Sequence, residues 1–271
     1  MNRWLITLAA CALFLTPVFA GGTKDGGARV IEVGGSTSVT PLMEMLETEY
    51  TRTRPGIRVN ISGTGSGDGI KNAGVMYHIG MSSRGLTAVE QGQGLREDII
   101  AIDGIAVIVN TANPAARLTL DEIRGIYTGQ ITDWSQVQGG ALHGRIAVIS
   151  REEGSGTRGA FEELAGFQGR LVRGATESTS TGAIKAGVAQ NPLAIGYISL
   201  GSTDNSVKAI AVDGVAPSAA NVINGTYRIA RPFILLTGGS ASAEARAFID
   251  WILGAEGQAV VRTNWIPAAA Q

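Results

Sequence analysis

Four short runs rich in serine, threonine and glycine have the composition of a site for a small oxyanion. They are Gly35-Ser36-Thr37-Ser38, the glycine-rich run from Ser62 to Gly69 that contains Ser66, Ser82-Ser83-Arg84, and Gly154-Ser155-Gly156-Thr157. Hydroxyls donate hydrogen bonds without adding charge, and glycine lets a ligand approach the backbone closely. Three runs precede segments with helical periodicity, and the first turn of a helix offers free N–H groups to an anion. The simpler interpretation of any one run is an ordinary helix N-cap, but their repetition favours a binding site.

Arg151 supplies a positive charge next to the last run. It stands four residues before Ser155, and Glu153 lies between the two. An arginine binds an oxyanion through two parallel N–H bonds, and a neighbouring carboxylate can hold the guanidinium in place. We therefore expect Arg151 to bind the anion and Glu153 to orient Arg151.

The glycine-rich runs do not match common nucleotide or hydrolase motifs. No Gly-Lys-Ser or Gly-Lys-Thr follows the run from Ser62 to Gly69, which argues against a P-loop, and no stretch has the form G-x-S-x-G. An enzyme stays open as an alternative, with Ser155 as nucleophile and His78 as base. The chain has two histidines and one cysteine, so we predict neither a metal site nor a cofactor.

The segments around these runs alternate between strand and helix patterns. The predicted strands include 30–33, 57–61, 99–109, 146–149, 195–200, 207–212 and 227–236, and the predicted helices include 39–52, 70–75, 120–127, 159–165, 181–190 and 243–253. Such alternation is typical of an α/β fold with a mostly parallel sheet. Ligands of these folds sit beyond the carboxyl ends of the strands, where the four runs stand.

The N-terminus has the order of a secretory signal peptide. Arg3 precedes an apolar stretch from Trp4 to Phe19, and small residues end at Ala20. We expect cleavage after Ala20 and a location in the periplasm or on the extracellular face of the cytoplasmic membrane. An alternative is lipidation at Cys11, the only cysteine. The 22 Lys and Arg residues nearly balance the 23 Asp and Glu residues, which gives no indication of nucleic acid or anionic membrane as a partner.

Several motifs together resemble those of the periplasmic phosphate-binding proteins of ABC transporters. They are the segments 34–39, 79–84, 126–134, 150–158 and 196–199, and they occur in the family's order within a match from about Val30 to Trp265. The resemblance implies the type II fold of periplasmic binding proteins, with two α/β lobes joined by a two-strand hinge. It places lobe I at residues 21–104 plus 226–271 and lobe II at 105–225, after a signal peptide of residues 1–20. It also implies a monomeric, non-enzymatic receptor that passes inorganic phosphate to a membrane permease.

The same resemblance implies a set of phosphate ligands. Lobe I would contribute Ser36, Thr37, Ser38, and Ser82 with its neighbour Ser83; lobe II would contribute Arg151, Ser155, Gly156 and Thr157; Ser66 and Arg84 are further candidates.

One position departs from the family pattern. Many members have an acid before the Ile-Gly of the Ser82 motif, which accepts the proton of hydrogen phosphate, whereas this chain has His78. Either His78 is the acceptor, or Asp103 is, or the discrimination against sulfate is weaker. Asp103 interrupts an apolar strand, where an unpaired carboxylate is costly, so pairing with Arg84 or Arg151 is the other interpretation. Sulfate, molybdate and tungstate remain alternative ligands.

Overall fold

A computed structural model describes residues 29–139, 142–239 and 241–268. The predicted cleavage site after Ala20 and the alternative lipidation site at Cys11 lie outside these ranges. Within them, no helix combines the length and the apolar character needed to cross a membrane.

The described residues form an α/β fold. Its strands are β1 (Arg29–Gly35), β2 (Ile57–Gly63), β3 (Ile79–Ser82), β4 (Arg96–Asn110), β5 (Arg117–Leu118), β6 (Ala147–Arg151), β7 (Thr176–Ser178), β8 (Ala194–Ser199), β9 (Val207–Ala209), β10 (Ala211–Val212), β11 (Ala230–Thr237) and β12 (Ile266–Pro267). Its helices are α1 (Thr40–Arg52), α2 (Ser66–Asn72), α3 (Ala88–Gln91), α4 (Leu120–Thr128), α5 (Gly156–Leu164), α6 (Thr181–Gln190), α7 (Ala219–Ile223), α8 (Ala243–Leu253) and α9 (Ala255–Val261).

The main sheet is mixed, with strand order β2-β1-β3-β11-β4-β8-β6-β7. Parallel pairs lie towards its two ends, where β1 pairs with β2 and β3, and β6 pairs with β7 and β8. The antiparallel pairs all involve β4 or β11. The prediction of an α/β fold is confirmed, but the prediction of a mostly parallel sheet is wrong, because β4 and β11 run against their neighbours in the centre of the sheet.

The long strand β4 changes partner along its length and divides the sheet into two halves. Its residues up to Gly104 pair with β11, and those from Ile105 onward pair with β8. The returning chain crosses at the same level, because the Ile105 N–H donates to the Ile229 carbonyl at 2.7 Å. We call β2, β1, β3, β11 and the start of β4 the first half, and β8, β6, β7 and the end of β4 the second half.

Each half has its own hydrophobic core. In the first half, α1 buries Leu42, Met43, Leu46 and Tyr50 at helical spacing, and this stripe packs in one cluster with residues of α8. In the second half, stacked aromatic rings include Phe161 and Tyr197, whose centroids are 4.1 Å apart. Most core residues thus pack within their own half, although Ile102 of the first half and Ile266, its partner in β12, also belong to the cluster of the second half.

Several predicted elements differ from the structure: α5 begins at Gly156 and not at 159, β11 begins at Ala230 and not at 227, and two further elements differ as follows. The strand predicted over 207–212 divides into β9 and β10, because β9 pairs with β4 whereas β10 pairs with β5. The helix predicted over 70–75 is α2, which begins earlier, at Ser66. It ends at Asn72, whose carbonyl accepts the N–H groups of Val75, Met76 and Tyr77 in a turn.

Candidate functional site

Strand direction brings the hydroxyl-rich runs to the junction between the two halves. The strands β1, β2 and β3 run in the same direction as β4, whereas β6 and β7 run against it, so the carboxyl ends of the two sets face each other where β4 changes partner. Six buried side chains, each at most 5% exposed, meet between the halves. We call them the hydroxyl cluster: Ser36, Ser38, Ser66, Ser83, Thr157 and Thr181.

Ser83 lies at the centre of the hydroxyl cluster. Its Oγ accepts a hydrogen bond from the Ser36 hydroxyl at 2.9 Å and lies 3.2 Å from the Ser66 hydroxyl. It also lies 3.4 Å from the hydroxyl of Thr157, which belongs to α5 in the second half. Ser83 therefore contacts hydroxyls from both halves of the sheet.

Ser38 makes the shortest hydroxyl–hydroxyl contacts between the halves. Its Oγ lies 2.7 Å from the Thr157 Oγ1 and 2.9 Å from the Thr181 Oγ1. The nearby Thr37 hydroxyl lies 3.4 Å from the Thr181 hydroxyl and accepts the Thr181 N–H at 3.3 Å. The first turns of α5 and α6, which carry Thr157 and Thr181, thus face the loop after β1. Both helix starts favour negative charge at this point.

Arg151 ends β6 with its guanidinium against the hydroxyl cluster. The side chain is buried, and its NH1 atom lies 3.5 Å from the Thr181 hydroxyl. The Nε and NH2 atoms donate to the two carboxylate oxygens of Glu152 at 2.9 and 2.8 Å. Glu152 therefore occupies one edge of the guanidinium, and NH1 is directed towards the hydroxyls.

The prediction that Glu153 orients Arg151 is wrong, because Glu152 does so. The chain leaves β6 after Arg151 and turns, with the Ser155 N–H donating to the Glu152 carbonyl. This turn brings the Glu152 carboxylate beside Arg151 and leaves Glu153 exposed.

Tyr197 fixes the backbone of Arg151 from β8. Its hydroxyl accepts the Arg151 N–H at 3.1 Å and lies 2.8 Å from the Ser150 hydroxyl. Burial raises the pKa of Tyr197 to about 12, so the phenol stays neutral near neutral pH. Tyr197 acts as a positioning residue for Arg151.

Three predicted ligands lie beside the hydroxyl cluster and are not part of its hydrogen-bond network: Ser82, Ser155 and Gly156. The Ser82 Oγ donates to the Arg84 carbonyl at 2.8 Å, and the Ser155 Oγ accepts the Arg158 N–H as the N-cap of α5. Gly156 packs its backbone against the cluster, because a Cβ there would lie only 2.3 Å from the Ser66 Oγ. Glycine is therefore required where α5 approaches the other half.

The Arg84 guanidinium is directed to a carboxylate outside the hydroxyl cluster. Its two terminal nitrogens donate to Glu90 at 2.7 and 2.8 Å. These bonds, with those from Thr87, lower the pKa of Glu90 to about 2. Arg84 thus holds α3 and does not contact the hydroxyls.

Asp103 is paired where β4 and β11 cross between the halves. One carboxylate oxygen accepts from Arg231 at 3.0 Å, and the other accepts from the Ser199 hydroxyl at 2.8 Å. Burial raises the pKa of Asp103, while Arg231 and the Ser199 hydroxyl oppose that rise. The expectation of Arg84 or Arg151 as its partner is wrong, because Arg231 lies directly opposite Asp103 in the β11–β4 pairing.

His78 lies away from the hydroxyl cluster. Its side chain is exposed, and its Nδ1 accepts the Glu32 N–H at 2.9 Å. In the described part of the chain, His78 and Asp103 thus form hydrogen bonds with other groups and not with the six hydroxyls of the cluster.

Thr181 is the member of the hydroxyl cluster that the sequence motifs did not indicate as a ligand. Its segment has a helical pattern, which predicts only the start of a helix there. A further signal is present, because Thr179-Ser180-Thr181-Gly182 is another run of hydroxyls and glycine between a strand and a helix. The strand β7 is only three residues long, which makes this pattern hard to detect.

Comparison with known proteins identifies the family. The model of the PBP superfamily domain matches residues 22–256. The chain belongs to this superfamily. The sequence of this PBP-superfamily chain is 42% identical to that of a protein from Clostridium perfringens with a known crystal structure. That structure is described as a putative phosphate ABC transporter substrate-binding protein with bound phosphate. The match covers 89% of this chain and 100% of that one, with a TM-score of 0.86.

Two further matches agree with this assignment. An ABC-type phosphate transport receptor from Vibrio cholerae is 37% identical over 87% of this chain and 99% of its own, with a TM-score of 0.71. The phosphate-binding protein PstS 2 of Streptococcus agalactiae is 42% identical over 53% of this chain, a match that spans about half (51%) of that relative. The predicted resemblance to PstS-like proteins and the predicted type II fold are confirmed.

Proposed function

We propose that this protein captures inorganic phosphate at the hydroxyl cluster and passes it to the membrane permease of an ABC transporter. The observation that carries the proposal is the buried Arg151 guanidinium, which reaches the Thr181 hydroxyl of a cluster of six buried hydroxyls drawn from both halves of the sheet. One charge and many neutral donors suit a small, strongly hydrated oxyanion. The relatives from Clostridium perfringens and Vibrio cholerae, both described as phosphate transport proteins, agree with this ligand.

The ligand set follows from the contacts. We assign direct binding to the six hydroxyls and to the NH1 side of Arg151, with Thr37 and the backbone of Gly156 beside them. Phosphate oxygens would replace the hydroxyl–hydroxyl hydrogen bonds of 2.7–3.4 Å that now join the two halves. Ser82, Ser155, Arg84 and Asp103 have supporting roles, because their side-chain hydrogen bonds serve a turn, a helix cap or an ion pair.

The two halves correspond to the lobes of a binding protein. The change of partner along β4 at Gly104 and Ile105 supports the boundary between residues 21–104 plus 226–271 and residues 105–225. β4 and the segment before β11 would then be the two hinge strands. The export pattern of the N-terminus supports a receptor outside the cytoplasmic membrane, and the balanced charge of the chain gives no indication of a nucleic acid partner.

The hydrolase alternative lacks the geometry that it needs. A serine nucleophile requires a base within hydrogen-bond reach. The Ser155 hydroxyl caps α5, and the exposed His78 ring accepts the N–H of Glu32 instead. We therefore propose a binding protein without catalytic activity.

The test is a calorimetric titration of purified protein that has been freed of phosphate by unfolding and refolding. We expect saturable phosphate binding at one site per chain. Absence of binding would overturn the proposal, and turnover of an activated phosphoester would instead support the hydrolase.

A further inference from the structure

Phosphate and sulfate have nearly the same shape, and a proton distinguishes them. Near neutral pH, inorganic phosphate is a mixture of monoanion and dianion that keeps at least one proton and can donate a hydrogen bond, whereas sulfate has only acceptor oxygens. A buried carboxylate is an acceptor only. It therefore pairs with the proton of phosphate and repels sulfate, because recognition gains specificity from groups that the wrong ligand leaves unpaired.

The hydroxyl cluster contains no such acceptor among the described residues. The side-chain hydrogen bonds of its six members join them to one another, to Thr37 and to Arg151, and none goes to a carboxylate. Hydroxyls differ from carboxylates because each can either donate or accept as its O–H rotates.

Three carboxylates of the segments around the hydroxyl cluster form hydrogen bonds with other groups. Both oxygens of Glu152 accept from Arg151, and both oxygens of Asp103 accept from Arg231 and Ser199. Asp68, on α2, accepts from Asn72 and from the Tyr77 hydroxyl. Each of these carboxylates accepts hydrogen bonds from other donors of the protein, and none of these bonds comes from a member of the hydroxyl cluster.

We propose that the hydroxyl cluster binds tetrahedral dianions whether or not they carry a proton, so that sulfate binds nearly as well as phosphate. This inference rests on the proposed capture of phosphate at the same site. Ser83 is the position that sets the selectivity, because its hydroxyl contacts three other members of the cluster and lies between the two halves.

The experiment compares the dissociation constants of phosphate and sulfate for the full exported protein at neutral pH. We expect them to agree within about tenfold, whereas a site with a fixed acceptor separates such ligands by about 10⁴-fold. Tight phosphate binding with sulfate weaker by more than about 10³-fold would overturn the inference and leave the proposed function intact. Failure of both anions to bind would overturn both.

A pair of variants tests the role of Ser83. Ser83→Asp places a carboxylate in the cluster, and Ser83→Asn is the neutral control of similar size. We expect Ser83→Asp to weaken sulfate binding at least about 100-fold more than phosphate binding, and Ser83→Asn to affect both anions alike. An unchanged ratio in folded Ser83→Asp would contradict the assignment of Ser83. If the buried aspartate prevents folding, the ratio of the phosphate and sulfate dissociation constants of the unsubstituted protein tests the proposal.

Discussion

The hydroxyls of Ser38 and Thr157 lie 2.7 Å apart and join the two halves of the sheet. Ser38 precedes α1 in the first half, whereas Thr157 lies in the first turn of α5 in the second half. Both side chains are buried. An anion bound here would contact both halves at once, which would couple binding to their approach.

Thr157→Val should weaken phosphate binding while preserving the shape of the side chain. A hydrogen bond to a charged group contributes about 1.5–3 kcal/mol, so we expect a loss of about 10- to 100-fold in affinity. Thr157→Ser should recover most of it. The control is Thr48→Val on the exposed face of α1, where the hydroxyl bonds only within its own helix and to the adjacent Glu47. Equal affinities of Thr157→Val and Thr48→Val in calorimetry would remove Thr157 from the site.

Arg151→Ala should weaken phosphate binding strongly. It removes the buried charge beside the cluster, and truncating a buried charged partner costs about 2–5 kcal/mol, so we expect a loss of about 30- to 4,000-fold in affinity. Arg262→Ala is the matched control, because Arg262 is exposed after α9. Circular dichroism and melting temperature would show that both variants are folded. Near-normal affinity of folded Arg151→Ala would contradict the site assignment.

The sequence predicts the participants of the site better than their contacts. Runs between a strand and a helix carry a local signal, so the motifs alone indicate Ser36, Ser38, Ser83 and Thr157. The partners of charged groups depend instead on turns and on strand register, which local motifs do not contain. For that reason the sequence points to the wrong carboxylate as the partner of Arg151.

Asp103 shows the same limit at the level of the fold. Its position inside an apolar strand predicts that the carboxylate has a partner, and the ion pair with Arg231 confirms this prediction. The identity of the partner depends on β11, which lies more than a hundred residues away in the sequence and opposite β4 in the sheet. The alternation of strands and helices predicts the α/β fold, but no local pattern indicates that the central strands are antiparallel.

Asp103→Asn should destabilise the protein strongly. Asp103 is the hydrogen-bond partner of Arg231 in the described part of the chain, where the Nε and NH1 atoms of that guanidinium are buried without partners. Removing one member of a buried ion pair costs about 3–5 kcal/mol because the other charge is left uncompensated. Denaturant unfolding measures this loss.

The control for that variant is Asp204→Asn. Asp204 pairs with Lys185 at 2.7 Å, and both side chains are partly exposed. Exposed pairs contribute less than about 1 kcal/mol, so Asp204→Asn should change stability little. Similar losses of stability in both variants would show that the stabilisation by the Asp103–Arg231 pair does not depend on its burial.

Glu90→Gln should lower stability at neutral pH, and the difference from the unsubstituted protein should vanish in acid. Hydrogen bonds from Arg84 lower the pKa of Glu90 from its ordinary value of 4.5 to about 2. A carboxylate with a lowered pKa in the folded state stabilises the fold above its unfolded pKa, and this contribution is lost as the pH falls through the folded pKa. The difference should therefore shrink from about pH 4.5 to about pH 2.

The expected effect at neutral pH is about 1–2 kcal/mol, after allowing for the partial exposure of the pair. Unfolding free energies of both proteins, measured at several pH values, test it. Arg84→Gln should remove the same pH dependence, because Arg84 is the main cause of the lowered pKa. A stability difference between Glu90→Gln and the unsubstituted protein that persists undiminished near pH 2 would mean that Glu90 stabilises α3 through packing and not through its charge.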